Sequence, residues 1–95
     1  MIGTTPLNSC PLPGRARILI TDDLEPNRLL LAELCQSLGH LTSEAEDGFV
    51  CLEQARANHP DLILLDLLMP RLNGFETLAQ LKADPDLLRI PVIII

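Results

Sequence analysis

The chain has 95 residues, enough for one small domain, because single domains run from about 50 to 250 residues. Apolar residues make up 47% of it but aromatic residues only 2%, so the core must be aliphatic and stacking on nucleic-acid bases is disfavoured. The net charge of −6 also disfavours binding to phosphate backbones, which requires clustered Lys and Arg, so we expect no nucleic-acid partner for the chain by itself.

The N-terminal residues 1–14 contain several prolines and glycines, which cannot continue a helix or a central strand. This segment is predicted to be a flexible leader or linker, and the domain is predicted to span residues 15–95. Its first strand is the β-branched run 18–20, which ends in the polar residues 21–23 as a buried strand entering a loop would.

Two strand, loop and helix units are predicted next. After the first strand, Pro26 suits a first helical turn and Gly39 is placed to end the helix. The second unit has a short strand over 40–45, a turn over 46–48 and a helix that ends before Pro60. The apolar residues at helical spacing are Leu30, Leu31, Leu34, Cys35 and Leu38 in the first helix, and Phe49, Val50, Leu52 and Ala55 in the second.

A third unit begins with the uninterrupted apolar run 62–65, as central parallel strands often do, and reaches Asp66. After a loop that contains Pro70, Asn73 and Gly74, a third helix is predicted to stop at residues 84–85. Its apolar positions are Phe75, Leu78, Ala79 and Leu81. A fourth strand is predicted over 90–95.

Strands that alternate with helices predict an α/β fold with a parallel sheet and helices on both faces. Ligands in such sheets bind beyond the carboxyl ends of the strands. Asp22 and Asp23 follow the first strand, and Asp66 follows the third. If these strands are neighbours, as in the flavodoxin-like order, the three carboxylates converge at one rim of the sheet.

Three clustered carboxylates raise one another's pKa unless a cation neutralises them. Oxygen ligands without His or Cys favour Mg²⁺, Mn²⁺ or Ca²⁺ over zinc or copper, and a site with two or three carboxylates plus waters suits Mg²⁺. The alternative is that acidic residues at strand ends are simply solvated, since loops are exposed.

Three motifs occur in the same order and at the same spacing as in a known protein family, and they carry a resemblance to it. Residues 60–74, PDLILLDLLMPRLNG, are similar to the phosphoacceptor segment D-x-x-M-P-x-x-[DN]-G of the receiver domains of two-component response regulators. ILITDD at 18–23 and EDG at 46–48 fall where that CheY-like superfamily has its acidic pair and the start of its second helix. The resemblance extends from about residue 15 to residue 95 and implies a flavodoxin-like (CheY-like) fold.

This resemblance implies a phosphorylation switch in the cytoplasm. Asp66 would accept a phosphoryl group from the phosphohistidine of a histidine kinase or a histidine phosphotransfer domain. Asp23 and Asp66 would ligate Mg²⁺ (or Mn²⁺) directly, Leu68 through its backbone carbonyl, and Asp22 through water. The residues that would shape the loop are Met69, Pro70 and Gly74.

The sequence also departs from the family pattern, which continues with a fourth helix, a fifth strand and a fifth helix. The family's Thr or Ser would follow Ile95 directly, and Lys82, the only lysine, is on the third helix and cannot replace the family's strand-end Lys. We therefore expect an incomplete receiver with impaired phosphorylation. The chain is either a fragment of a longer protein or an oligomer that associates through an exposed strand edge at Val92 to Ile95.

Two further interpretations stay open. The segments 27–31 and 37–40 resemble the first helix of receivers in hybrid sensor kinases. A degenerate receiver that is not phosphorylated and serves as an interaction module is the alternative function. A Mg²⁺-dependent hydrolase is disfavoured because Leu68 stands where a general acid would be needed.

The cysteines and histidines form no recognisable redox or zinc pattern. Cys10, Cys35 and Cys51 make no C-x-x-C pair and no zinc spacing with His40 and His59. We expect Cys35 and Cys51 to be small apolar residues on helices and the histidines to be ordinary loop residues. No apolar run reaches the roughly 20 residues of a membrane span, so no membrane partner is expected.

Overall fold

The computed structural model describes residues 14–95, so nearly all of the predicted leader, residues 1–14, lies outside the described residues. Four strands alternate with three helices in a parallel sheet of order β2-β1-β3-β4. The elements are β1 (Arg17–Thr21), α1 (Glu25–Ser37), β2 (Leu41–Ala45), α2 (Gly48–Asn58), β3 (Leu62–Leu65), α3 (Gly74–Ala83) and β4 (Val92–Ile94). The predicted α/β flavodoxin-like fold is confirmed, and β4 is shorter than predicted.

Local signals in the sequence explain where the helices begin and end. Pro26 occupies the first turn of α1, where its missing N–H costs nothing. Gly39, at φ 92°, ends the same helix with a left-handed residue that glycine adopts without strain. In α3, Asn73 accepts from the Glu76 N–H while the Glu76 side chain accepts from the Asn73 N–H, which satisfies two backbone donors at the helix start.

One face of the sheet packs against α2 and α3 and holds the larger core. Its β3 side chains, Ile63 and Leu65, are fully buried, as is Leu81 from α3. The cluster consists of Leu19, Ala45, Cys51, Leu52, Ala55, Ile63, Leu65, Met69, Leu72, Leu81, Leu87 and Ile90. The elements that hold the loop after β3 are therefore anchored in the larger of the two core clusters.

Among the described residues, the other face is covered by the helix α1, which packs on β1 and β2. Its core is smaller and consists of Ala16, Ile18, Ile20 and Ala32, with Leu31, Cys35, Leu62 and Leu64 partly buried beside them. Helical spacing does not reveal which side of α1 is covered, because Leu30, Leu34 and Leu38 are exposed. Ala32 is the residue of α1 that is buried against the sheet, since its small side chain allows close approach.

Both phenylalanines lie at the surface, although they fall at the helical spacing of the apolar residues. Phe49 and Phe75 stand in the first turns of α2 and α3 and are 53% and 62% exposed. The buried positions of α2 are instead Gly48, Cys51, Leu52 and Ala55. The helical assignments of Cys35 and Cys51 are confirmed, and burial raises the pKa of both thiols. In the described part of the chain, none of the helices has the length and apolar character needed to cross a bilayer.

Candidate metal and phosphoacceptor site

The site is built at the carboxyl ends of the two central strands. Thr21 and Leu65 are paired in the β1–β3 register, and the N–H of Asp66 donates to the Thr21 carbonyl at 3.0 Å. The next residues of β1 and β3 therefore emerge side by side. One carboxylate oxygen from each of Asp22, Asp23 and Asp66 lies within 4.8 Å of the others, as the sequence predicted.

The two aspartates with described hydrogen bonds are held by neighbouring backbone groups. Asp22 is only 4% exposed, and its Oδ1 accepts from the Leu24 N–H at 2.9 Å. The Oδ1 of Asp66 accepts from the Leu68 N–H at 3.1 Å, although the Leu68 side chain is exposed. These bonds close short turns after β1 and β3 and fix the directions of both carboxylates.

The charge of the cluster is not balanced by the protein. Burial raises the pKa of the Asp66 carboxyl above its usual value; the Leu68 N–H opposes this rise, and the charges of Asp22 and Asp23 add to it. Arg28 lies close by, but its guanidinium donates to the Asp22 backbone carbonyl at 2.8 Å and pairs with Glu44 at 3.2 Å. Within residues 14–95, no Arg or Lys side chain forms an ion pair with the three carboxylates.

The donor set therefore fits a hard divalent cation. Carboxylate oxygens are ligands that Mg²⁺ and Mn²⁺ prefer, and the raised pKa of Asp66 records the repulsion and desolvation that a bound cation would offset. No thiol or imidazole belongs to the described cluster, so nothing in it favours zinc or copper.

The loop after β3 folds back onto Asp66. The Gly74 N–H donates to the Leu67 carbonyl at 3.0 Å, and a Cβ on Gly74 would overlap the Asp66 carbonyl oxygen and the Leu67 Cα. Met69 is buried in the main core, whereas Pro70 is exposed. Gly74 thus allows the close approach of the loop to Asp66, and Met69 anchors the loop in the core.

The family is shown by a match along most of the chain. A model described as the response regulator receiver domain matches residues 18–95. The chain belongs to this family. This membership assigns it to two-component signalling. Receiver domains generally bind Mg²⁺ through an acidic cluster and interact with histidine kinases or phosphotransfer proteins, and this receiver domain has such a cluster.

Named relatives and a solved structure agree with the assignment. Protein PilH of Pseudomonas aeruginosa is 41% identical over 80 residues, which are 84% of this chain and 66% of PilH. The response regulator PleD of Caulobacter vibrioides is 46% identical over 81 residues, 84% of this chain but 18% of PleD. The N-terminal domain of a response regulator receiver protein from Methanoculleus marisnigri superposes with a TM-score of 0.82 at 35% identity, covering 83% of this chain and 64% of that structure.

The receiver domain also contains an ion pair next to the site loop that the sequence pattern does not indicate. Arg71, in the loop after Asp66, makes a 2.9 Å ion pair with Asp47 at the start of α2. The sequence pattern indicates only a turn at Asp47 and carries no signal for Arg71. Lys82, by contrast, is absent from the site, as expected, because its Nζ donates to the Leu88 and Ile90 carbonyls before β4.

Proposed function

We propose that this receiver domain is a cytoplasmic phosphoacceptor whose Asp66 takes a phosphoryl group from the phosphohistidine of a histidine kinase or a histidine phosphotransfer domain. The observation that carries the proposal is the meeting of Asp66 with Asp22 and Asp23 at the rim of the sheet. Asp66 is partly exposed there, at the end of a strand, where an incoming phosphohistidine can reach it.

In the transfer itself, the chain's own residues would supply the nucleophile and hold it in place. Asp66 is the nucleophile: one carboxylate oxygen attacks phosphorus in line, the O–P bond forms, and the N–P bond to the donor imidazole breaks. The imidazole leaves as the neutral histidine after it takes up a proton. The Leu68 N–H holds Oδ1 of Asp66, so the carboxylate keeps one orientation toward the incoming phosphorus.

The residues proposed to hold Mg²⁺ are Asp23 and Asp66 directly, Leu68 through its backbone carbonyl and Asp22 through a water molecule. When bound, the ion would neutralise the negative charge on the transferring phosphoryl group. Asp22 fits an indirect role, because its side chain is buried and one of its oxygens already accepts from Leu24.

Intact-mass spectrometry after incubation with acetyl phosphate and Mg²⁺ tests the proposal. We expect an adduct of one phosphoryl group on the parent chain, and none on Asp66→Asn or in EDTA. Asp61→Asn is the matched control, since Asp61 lies at the opposite end of β3. An adduct of equal yield on Asp66→Asn would refute the assignment of the phosphoacceptor.

The exposed leucines of α1 favour a second candidate function, that of a degenerate receiver which acts as an interaction module without phosphorylation. Leu30 and Leu34 are 57% and 53% exposed on α1, and Leu38, the residue that caps the end of this helix, is 73% exposed. Apolar side chains grouped on a surface are typical of protein contacts. Absence of any adduct, with folding and Mg²⁺ binding intact, would favour this function over phosphotransfer.

A further inference from the structure

The loop between β3 and α3, residues 66–73, contains a backbone conformation that must be held in place. Arg71 has a φ of 62°, in the left-handed region that residues other than glycine rarely adopt. Its neighbours Met69 and Leu72 are buried in the core, while the Arg71 side chain itself is 63% exposed. The side chain is thus directed outward from a loop that is otherwise anchored inward.

The Arg71 side chain contacts the first turn of α2 at two points. Its Nη1 lies 2.9 Å from Oδ2 of Asp47, whose side chain is only 4% exposed. Its guanidinium carbon lies 5.3 Å from the centre of the exposed Phe49 ring. The other Asp47 oxygen accepts from the Val50 N–H at 2.9 Å and caps α2, so Arg71 is the described partner of the remaining oxygen.

The backbone of α2 is also seated directly against this loop. A Cβ on Gly48 would overlap the Thr77 hydroxyl and come within 2.7 Å of the Leu72 carbonyl oxygen. The loop is therefore enclosed between the start of α2 and α3. At its other end the same loop supplies the Leu68 N–H that holds Asp66.

These contacts form one continuous connection from Asp47 through Arg71 to the phosphoacceptor. We propose that Arg71 is a positioning residue, which acts through its ion pair with Asp47 to keep the loop in the conformation that places the Leu68 backbone beside Asp66. The inference rests on the proposed function for the metal ligands, whereas the loop conformation itself rests on the contacts of Arg71 with α2. Because a buried carboxylate that loses its cationic partner is destabilised, substitution of either Arg71 or Asp47 should disturb the loop.

Calorimetric Mg²⁺ binding to the full chain is the first test. We expect Arg71→Ala and Asp47→Asn each to weaken the affinity about tenfold, in the range found when a residue that orients metal ligands is lost. Asn retains the oxygen that caps α2, so Asp47→Asn removes the charge and keeps the cap. The double variant should be no weaker than either single variant, and Arg71→Lys, which keeps the positive charge, should restore most of the affinity.

Arg56→Ala is the matched control, because Arg56 is similarly exposed, lies 3.5 Å from its partner Asp84, and is in the last turn of α2, whereas Arg71 contacts the first turn. Its affinity should equal that of the parent chain. Affinities of Arg71→Ala and Asp47→Asn within twofold of the control would overturn the proposal. Failure of the parent chain itself to bind Mg²⁺ would instead refute the metal site, which separates the two inferences.

Amide hydrogen exchange in EDTA gives a second readout, independent of metal. If Arg71 holds the loop, the Leu68 and Gly74 amides should exchange at least about tenfold faster in Arg71→Ala, because their bonds to Asp66 and Leu67 open more often. If Arg71 merely supports the cap of α2, only the Val50 amide should accelerate. Acceleration confined to Val50 would overturn the positioning role.

Discussion

Replacing Asp66 by Asn measures how much charge repulsion among the three aspartates destabilises the folded protein, because it removes a charge and keeps the shape of the side chain. Asn has nearly the same volume, and its Oδ1 can still accept from the Leu68 N–H. The substitution therefore removes one negative charge from the cluster and leaves the turn after β3 closed. In the absence of metal, we expect Asp66→Asn to be more stable than the parent chain at neutral pH.

The size of this effect follows from the separation of the carboxylates. At 4.8 Å, two unit charges repel by about 0.9 kcal/mol in water and by about 3.5 kcal/mol at an effective dielectric constant of 20. Asp23 and Asp66 are partly exposed, so the value in water applies to this pair, and for the pair of Asp66 with the buried Asp22 it is a lower bound. Relief of two such repulsions gives about 2 kcal/mol, which for a domain of this size is a rise in Tm on the order of 10 °C.

The difference in stability between Asp66→Asn and the parent chain should depend on pH. Because the folded-state pKa of Asp66 is raised, its protonated form is the one that favours folding, and this contribution is lost as pH rises through the folded pKa. Asp66→Asn should therefore be more stable than the parent chain at about pH 7. This difference should disappear below about pH 3, where the carboxyl group of Asp66 is protonated in both the folded and the unfolded state.

Thermal melts in EDTA at both pH values measure this difference. Asp86→Asn is the control, because Asp86 is exposed and lies before β4, at the opposite rim from the cluster. Addition of Mg²⁺ should stabilise the parent chain and reduce the difference in Tm between it and Asp66→Asn. A lower Tm for Asp66→Asn at neutral pH, or a gap that does not change with pH, would refute the reasoning.

Three other substitutions test the packing and the sheet edge. Leu81→Ala should lower the free energy of unfolding by about 2 to 5 kcal/mol, because Leu81 is fully buried, and urea titration measures the loss. Gly48→Ala should destabilise the fold despite the better helix propensity of Ala, since a Cβ there overlaps Thr77; an increase in urea midpoint would contradict this. We predict that the chain self-associates through β4, one of the two edge strands of the described sheet, and that Ile93→Lys weakens this association, because Ile93 is 51% exposed; sedimentation velocity measures it, and a parent chain that is monomeric at micromolar concentration would refute it.

The strands and the aspartates that follow them were predictable from short-range patterns, whereas the strand order was implied by the family resemblance. The apolar runs at 18–20 and 62–65 fix two strands, and a parallel arrangement puts their carboxyl ends at the same edge. Once β1 and β3 are neighbours, the position of each aspartate directly after its strand is sufficient to bring the carboxylates together.

The covered side of each helix was less predictable. Leucines at helical spacing in α1 identify an amphipathic helix, but the sheet is met by Ala32, and Leu30 and Leu34 stay exposed. Hydrophobic periodicity reports which residues share a face, whereas burial depends on what packs against that face. Phe49 shows the same limit, since its ring lies at the surface under Arg71 instead of in the core.

The contact between Arg71 and Asp47 has no signal in local periodicity, because it joins the loop of one unit to the helix of another. Its cause is the left-handed turn at Arg71, which directs the side chain away from the buried Met69 and Leu72 and toward α2. Gly48 completes the arrangement, because only a residue without a Cβ lets α2 approach the Leu72 carbonyl so closely. The residues that would react at this site are thus set by strand ends, whereas the residues that hold the loop around them are set by contacts between units, which only the folded structure brings together.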